Sequence, residues 1–139
     1  MEIIANAVQL VNANQNVYFT DTVACGGCSV MHRENSGLVT IRGATTQCRA
    51  RYRLTFTGNA AIPTGGTAGP ITFAIAVDGE AIPYSTMITT VAAVEEYNNI
   101  NTTIFIDVPK GCCYTVSVKN IGTENVNIQN ANLIIERVA

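Results

Sequence analysis

The chain has 139 residues, enough for one domain with a real core and too few for two comfortable ones. Only 13% of the residues are charged, 47% are apolar and the net charge is −2, so there is no electrostatic footprint for nucleic acid. No apolar run reaches the length of a membrane span, and Met1-Glu-Ile-Ile4 is not the basic start of a secretory signal, so synthesis in a cytoplasm is expected. With so few charges, much of the surface must be amide, hydroxyl or buried against a partner, which favours a packed assembly over a lone monomer.

In chain order, apolar stretches at 3–10 and 17–20 are separated by the turn-prone Asn12-Ala-Asn-Gln-Asn16. After a loop holding Cys25-Gly-Gly-Cys28, residues 29–33 and 38–42 read as strands around a turn at Asn35-Ser-Gly37, and Gly43 closes the second. Residues 48–56 give the clearest strand signal. Ala50, Tyr52, Leu54 and Phe56 fall on one side and Arg49, Arg51 and Arg53 on the other, so one face is core and one is wet. A long Gly/Pro/Thr loop at 58–70 follows; its Gly65-Gly66 pair has no helix start with Lys-Ser/Thr behind it and is no phosphate cradle.

Residues 71–77 alternate Ile71, Phe73, Ile75 and Val77 with Thr72, Ala74 and Ala76, and the small second face suits close approach of another subunit. Asp78-Gly-Glu80 reads as a tight turn; its two carboxylates fall short of a calcium shell. An extended piece at 84–90 and a helix-tolerant turn or two at 90–97 come next. Residues 101–108 then place Ile104, Ile106 and Val108 opposite Thr103, Phe105 and Asp107. Phe105, an aromatic on a polar side, is a candidate plug at a symmetry axis or a cap on the sandwich edge. A turn at Pro109-Lys-Gly111 leads to a strand with Tyr114, Val116 and Val118 inward and Thr115, Ser117 and Lys119 outward.

The last stretch, 126–139, begins with period-two alternation and ends with Leu133, Ile134 and Ile135 apolar on both faces. It is expected to be a central strand, covered on one side by its own core and on the other by copies of the same chain. About eight to ten strands with turn signals between them give an all-β, single-domain jelly-roll sandwich.

Candidate chemistry is sparse. Cys25, Cys28, Cys48, Cys112 and Cys113 are read as buried small hydrophobes with one late disulfide, Cys25 to Cys28 or either of these to Cys48, in preference to a zinc site, because His32 is the only histidine. Glu95-Glu96 are the only adjacent carboxylates, and no nucleophile–base pair is evident. No catalytic residue, metal or cofactor is expected. Arg42, Arg49, Arg51 and Arg53 form a candidate row for an anion or glycan, set against the plainer reading of a solvated outer face that blunts aggregation.

The second half, with Ile71 to Val77, Asp78-Gly-Glu-Ala-Ile-Pro83, 101–108, Pro109-Lys-Gly111 and the ending Leu133-Ile-Ile-Glu-Arg-Val-Ala139, resembles the head domain of the collagen-like exosporium glycoprotein of Bacillus-type spores. That family belongs to the tumour-necrosis-factor and complement-globular-head jelly rolls, and the likeness spans 36–139. Gly58-Asn-Ala-Ala-Ile-Pro-Thr-Gly-Gly-Thr67 and Gly111-Cys-Cys113 also resemble segments of short Firmicutes and phage surface proteins. The resemblance implies a homotrimer whose inner sheet, last strand included, packs around a threefold axis. Ala74, Ala76, Phe105, Leu133 and Ile135 are the expected interface residues. There is no Gly-X-Y stalk, and residues 1–35 have no counterpart, so they are a candidate attachment segment beside a jelly-roll body at 36–139. The expected role is a non-catalytic trimeric head on a particle surface, a phage virion before a spore. Its expected partners are itself, a capsid or other surface protein and a host glycan.

Overall fold

A computed structural model describes residues 1–24, 27 and 29–139. Among the described residues the regular structure is twelve strands and one 3-10 turn. The strands are β1 (Glu2–Ala5), β2 (Gln9–Val11), β3 (Asp21–Ala24), β4 (Val30–His32), β5 (Val39–Arg42), β6 (Arg49–Ala61), β7 (Pro70–Val77), β8 (Glu80–Ala81), β9 (Met87–Thr90), β10 (Asn98–Pro109), β11 (Cys113–Asn120) and β12 (Val126–Arg137). They form two sheets. Sheet A runs β10-β6-β12-β1-β3 with β2 also on β12, and sheet B runs β4-β5-β11-β7-β8 with β9 also on β7. Every pairing between strands is antiparallel, as the short turns and the alternation require.

The core lies between the sheets and is built from the inward half of each alternating strand. Ala50, Tyr52, Leu54 and Phe56 of β6 are fully buried, facing Ile71, Phe73 and Ile75 of β7 and Val116 and Val118 of β11 in one cluster. Each large side chain so removed from water contributes about 1.5–3 kcal/mol. Tyr52 carries a hydroxyl into this core, and it donates to the Arg42 carbonyl at 2.6 Å, so the polar atom is not left unpaired. Phe56 meets Phe19 edge to face with ring centroids 6.5 Å apart.

As the alternation requires, β12 is central in sheet A, but its two-sided ending has a different cause. Gln129 pairs with Asn59 and Asn132 with Thr57, so β12 carries one extra residue there, and Asn130 absorbs it with φ 56°. Asparagine tolerates that left-handed conformation better than most residues. The bulge switches the inward parity from Val126 and Ile128 to Ala131, Leu133 and Ile135, all buried. Only Ile134 of the closing trio faces outward.

The described part of residues 1–35 is woven into both sheets. β1 sits between β12 and β3, and the segment after β2 crosses to sheet B, where the Val17 amide donates to the Val118 carbonyl at 2.8 Å, before the Thr20 amide returns to the Ile4 carbonyl at 2.9 Å. Residues 17–20 therefore form no strand where the apolar run had suggested one; isolated bridges at Asn16 and Phe19 stand in its place, and Val17 and Phe19 are fully buried.

Two further expectations change. Pro83 starts a 3-10 turn, Pro83–Ser85, with its fixed φ, so the strand expected at 84–90 begins only at Met87. Of the helix-tolerant 90–97, Thr90 ends β9 and the rest is a bend and a turn with no helix. Glu96 accepts from the Ala92 and Ala93 amides and Glu95 from the Thr64 amide and hydroxyl, so both carboxylates hold loops. The turn at 78–80 is as expected: φ is 51° at Asp78 and 88° at Gly79, which suits a tight two-residue hairpin between β7 and β8.

Candidate functional site

The outward face of sheet A is the strongest candidate. Its composition follows from strand parity: whatever alternates with the core residues of β10, β6, β12 and β1 must point away from it. One end carries amides and threonines. Asn101 donates to Asn99 at 2.9 Å, Asn99 donates to Asn59 at 3.3 Å, and the Thr55 and Thr103 hydroxyls meet at 3.2 Å. The other end carries the charges.

Cross-strand register aligns those charges in pairs. Asp107 lies opposite Arg51 and Glu136 opposite Arg53. Arg51 grips Asp107 with both arms of its guanidinium, at 2.8 and 3.1 Å, and Arg49 approaches the same carboxylate at 3.2 Å. Arg53 donates to Glu136. The hydrogen bonds from Arg51 hold the Asp107 carboxyl below the usual carboxylate range, against a smaller opposing effect of burial and with help from the Arg51 and Arg49 charges. The same bonds and the Asp107 charge raise Arg51.

Among these paired groups stand isolated apolar side chains. Phe105 is 53% exposed in the middle of β10, and Ile134 of β12 is 38% exposed between Thr55 and Glu2. β10 is an edge strand of sheet A. Along it runs a groove of about 530 Å³ where Phe105, Ile106, Arg51 and Asp107 face Ile82 and Tyr84, and Tyr84 is 72% exposed.

The residues singled out from sequence are distributed as follows. Phe105 is on the open face. Leu133 and Ile135 are not: at 1% and 0% exposure they belong to the protomer's own core, because the bulge at Asn130 turns them inward. Ala74 and Ala76 lie on β7 in the other sheet, are buried within the protomer, and share no surface with Phe105. The four arginines also divide. Arg49, Arg51 and Arg53 form the expected row on β6, already matched with acids, whereas Arg42 is on β5 opposite Cys113 in sheet B.

Cys48, Cys112 and Cys113 are exposed free thiols, which corrects the expectation of buried small hydrophobes; the sequence offered only their small size, and all three fall at strand ends or in a turn. The disulfide partners proposed for Cys48, Cys25 and Cys28, lie outside the described residues. His32 is held by the Ser36 carbonyl at 2.9 Å from Nε2 and packs edge-on to Phe19, as a strand residue does. Asp78 accepts the Thr115 amide at 2.9 Å, and among the described residues no group of three His, Cys, Asp or Glu side chains is placed to hold a metal ion.

Ile134 and Tyr84 were missed. The signal for Ile134 was present in Asn130, an amide interrupting an otherwise apolar alternation. Tyr84 had none, because its place beside Phe105 depends on how the turn at 83–85 packs.

No protein-family model matches the chain, and no curated protein matches it in sequence. Solved structures do match in shape. The globular domain of the zebrafish complement 1qA protein superposes with a TM-score of 0.69 at 10% identity, covering 99% of this chain and 95% of that one. The Eiger tumour necrosis factor of S. frugiperda gives 0.70 at 10% identity over 100% and 92% of the two chains. Murine APRIL gives 0.60 at 13% identity over 99% and 100%. At such identities the likeness is one of fold alone: the chain has a jelly-roll fold like that of the tumour-necrosis-factor and complement globular domains.

Proposed function

We propose that the chain is a non-catalytic structural head that assembles as a homotrimer through the outward face of sheet A and decorates a particle surface, a phage virion in the first instance. The observation that carries this reading is the make-up of that face. An assembly surface needs apolar anchors within a setting of satisfied polar groups, because an unpaired buried charge costs several kcal/mol. Phe105 and Ile134 are such anchors, and Asp107 and Glu136 already have their arginines. The face also includes β12, the strand that the resemblance to spore-surface heads implies at a threefold axis. The absence of charge excess fits a packed assembly, and His32, Glu95 and Glu96, the only groups suggestive of acid–base work, are engaged in holding loops and strands. Synthesis in a bacterial cytoplasm and display on the virion complete the proposal, with a capsid or other surface protein as the partner.

The test is the whereabouts of the chain. Antibody-gold electron microscopy and peptide mass spectrometry on purified phage particles should find it at the particle surface in stoichiometric amounts. Finding it only on spores would replace the virion role with the exosporium-like one, and finding it only in cytosol would end both.

A second reading has its own observation. Tyr84 and Phe105 beside the Arg51–Asp107 pair provide two rings and a hydrogen-bonding fork, which suits the apolar face and hydroxyls of a sugar on a host surface. Glycan-array binding lost on Arg51→Ala supports that reading, and silence on a broad array counts against it.

A further inference from the structure

The end of the sandwich where β5 and β10 finish carries a second feature that the assembly reading leaves unused. The loop from Gly43 to Cys48 and the turn from Pro109 to Cys112 are fused there by backbone bonds. The Gly43 amide donates to the Cys112 carbonyl at 2.8 Å, the Gly111 amide to the Gly43 carbonyl at 3.2 Å and the Lys110 amide to the Cys48 carbonyl at 3.0 Å. The fit is close enough that a Cβ on Gly43 would collide with the Pro109 carbonyl oxygen. On this rigid cap Cys48, Cys112 and Cys113 all present free thiols to solvent, and Cys112 and Cys113 border a hollow of about 320 Å³ with Arg42.

Cysteine is among the most buried residue types when it serves only as a small hydrophobe, so the exposed Cys112 and Cys113, with Cys48 exposed on the loop bonded to their turn, call for a chemical role. Metal binding is poorly served, since among the described residues no three His, Cys, Asp or Glu side chains come together, Cys48 with Cys112 and Cys113 included. Closure of Cys112 on Cys113 is disfavoured too: Cys113 is committed to the ladder opposite Arg42, and adjacent side chains of extended backbone diverge. Three is an odd number, so pairing among them leaves at least one sulfur free.

We propose that this end is a redox-controlled covalent junction between two copies of the chain. A second copy is the fitting occupant, because a solvent-facing thiol with no partner in its own chain meets its own equivalent across a twofold axis, which gives one self-paired bridge, Cys112 to Cys112 or Cys113 to Cys113, with no other protein needed. The oxidant is a small-molecule disulfide. The thiolate of one copy attacks it, forming a mixed disulfide and releasing one small thiol; the thiolate of the second copy attacks that bond, forming the interchain disulfide and releasing the other. Two cysteine thiols are oxidised, one disulfide is reduced, and their two protons pass to the two departing thiols.

The experiment uses the full chain carrying Cys25→Ser and Cys28→Ser, incubated with glutathione disulfide and read by non-reducing denaturing electrophoresis and peptide mass mapping. Covalent multimers that collapse with reductant, with bridges mapped to Cys112 or Cys113, are expected. They should be lost when Cys112→Ser and Cys113→Ser are added, with thermal unfolding unchanged. They should persist with Phe105→Asp, which separates this junction from the sheet A face. Glutathionylated single chains, bridges confined within one chain, or an unreactive protein would overturn it.

Discussion

The two faces of sheet A were made by the same strands and answer to different rules. On the inward face nearly every position is apolar and closed, from Ile104 and Ile106 through Leu54 and Phe56 to Leu133, Ile135 and Ile3. On the outward face the same strands carry amides, hydroxyls and matched charges, interrupted by Phe105 and Ile134. The first face is specified by removal from water within the protomer. The second has Asp107 and Glu136 matched with arginines and leaves Phe105 and Ile134 exposed, the make-up on which the proposed assembly rests.

Substitutions break or sharpen this contrast. Ile135→Asp should have the largest effect: a carboxylate would enter the closed face with no partner, a cost of several kcal/mol, and the chain should lose its cooperative thermal transition or fail to stay soluble. Leu133→Ala leaves a cavity in the same layer and should cost about 2–5 kcal/mol in urea unfolding. One position away, Ile134→Asp should leave the fold intact, as should Phe105→Asp, each with a cooperative transition but with assembly lost in sizing. If Ile134→Asp and Ile135→Asp behave alike, the bulge at Asn130 has been misassigned.

The smallest effect belongs to the charge pairs. Asp107 titrates lower in the folded chain than in the unfolded one, so on acidification the unfolded chain takes up the proton first. The stabilisation is present above the ordinary carboxylate pKa of about 4 and is lost as pH falls through the depressed folded value. Asp107→Asn should flatten that part of the profile of melting temperature against pH. The groups are exposed, so the change should be small at physiological salt and smaller still at high salt.

The strands with regular alternation were legible in the sequence. β6, β7, β10 and β11 present the faces that their spacing predicts, because period two leaves no other way to bury Tyr52, Phe56, Phe73 and Ile106 together. β12 was legible as central and illegible in detail, since one asparagine in a left-handed conformation reverses the parity of everything after it. The arginine row was visible, but its acids stand 56 and 83 residues away, and only the register of β10 and β12 beside β6 brings them together. The meeting of the loop that ends at Cys48 with the turn before Cys112 and Cys113 is likewise a product of topology, two connections joined at one end of the sandwich.

The most direct test of the central claim is the mass of the native particle formed by the purified wild-type chain at micromolar concentration, from size exclusion with light scattering. A mass three times that of one chain, falling to one with Phe105→Asp, is the predicted result. A single-chain mass for the wild type, with Phe105 and Ile134 still open to solvent, would contradict it.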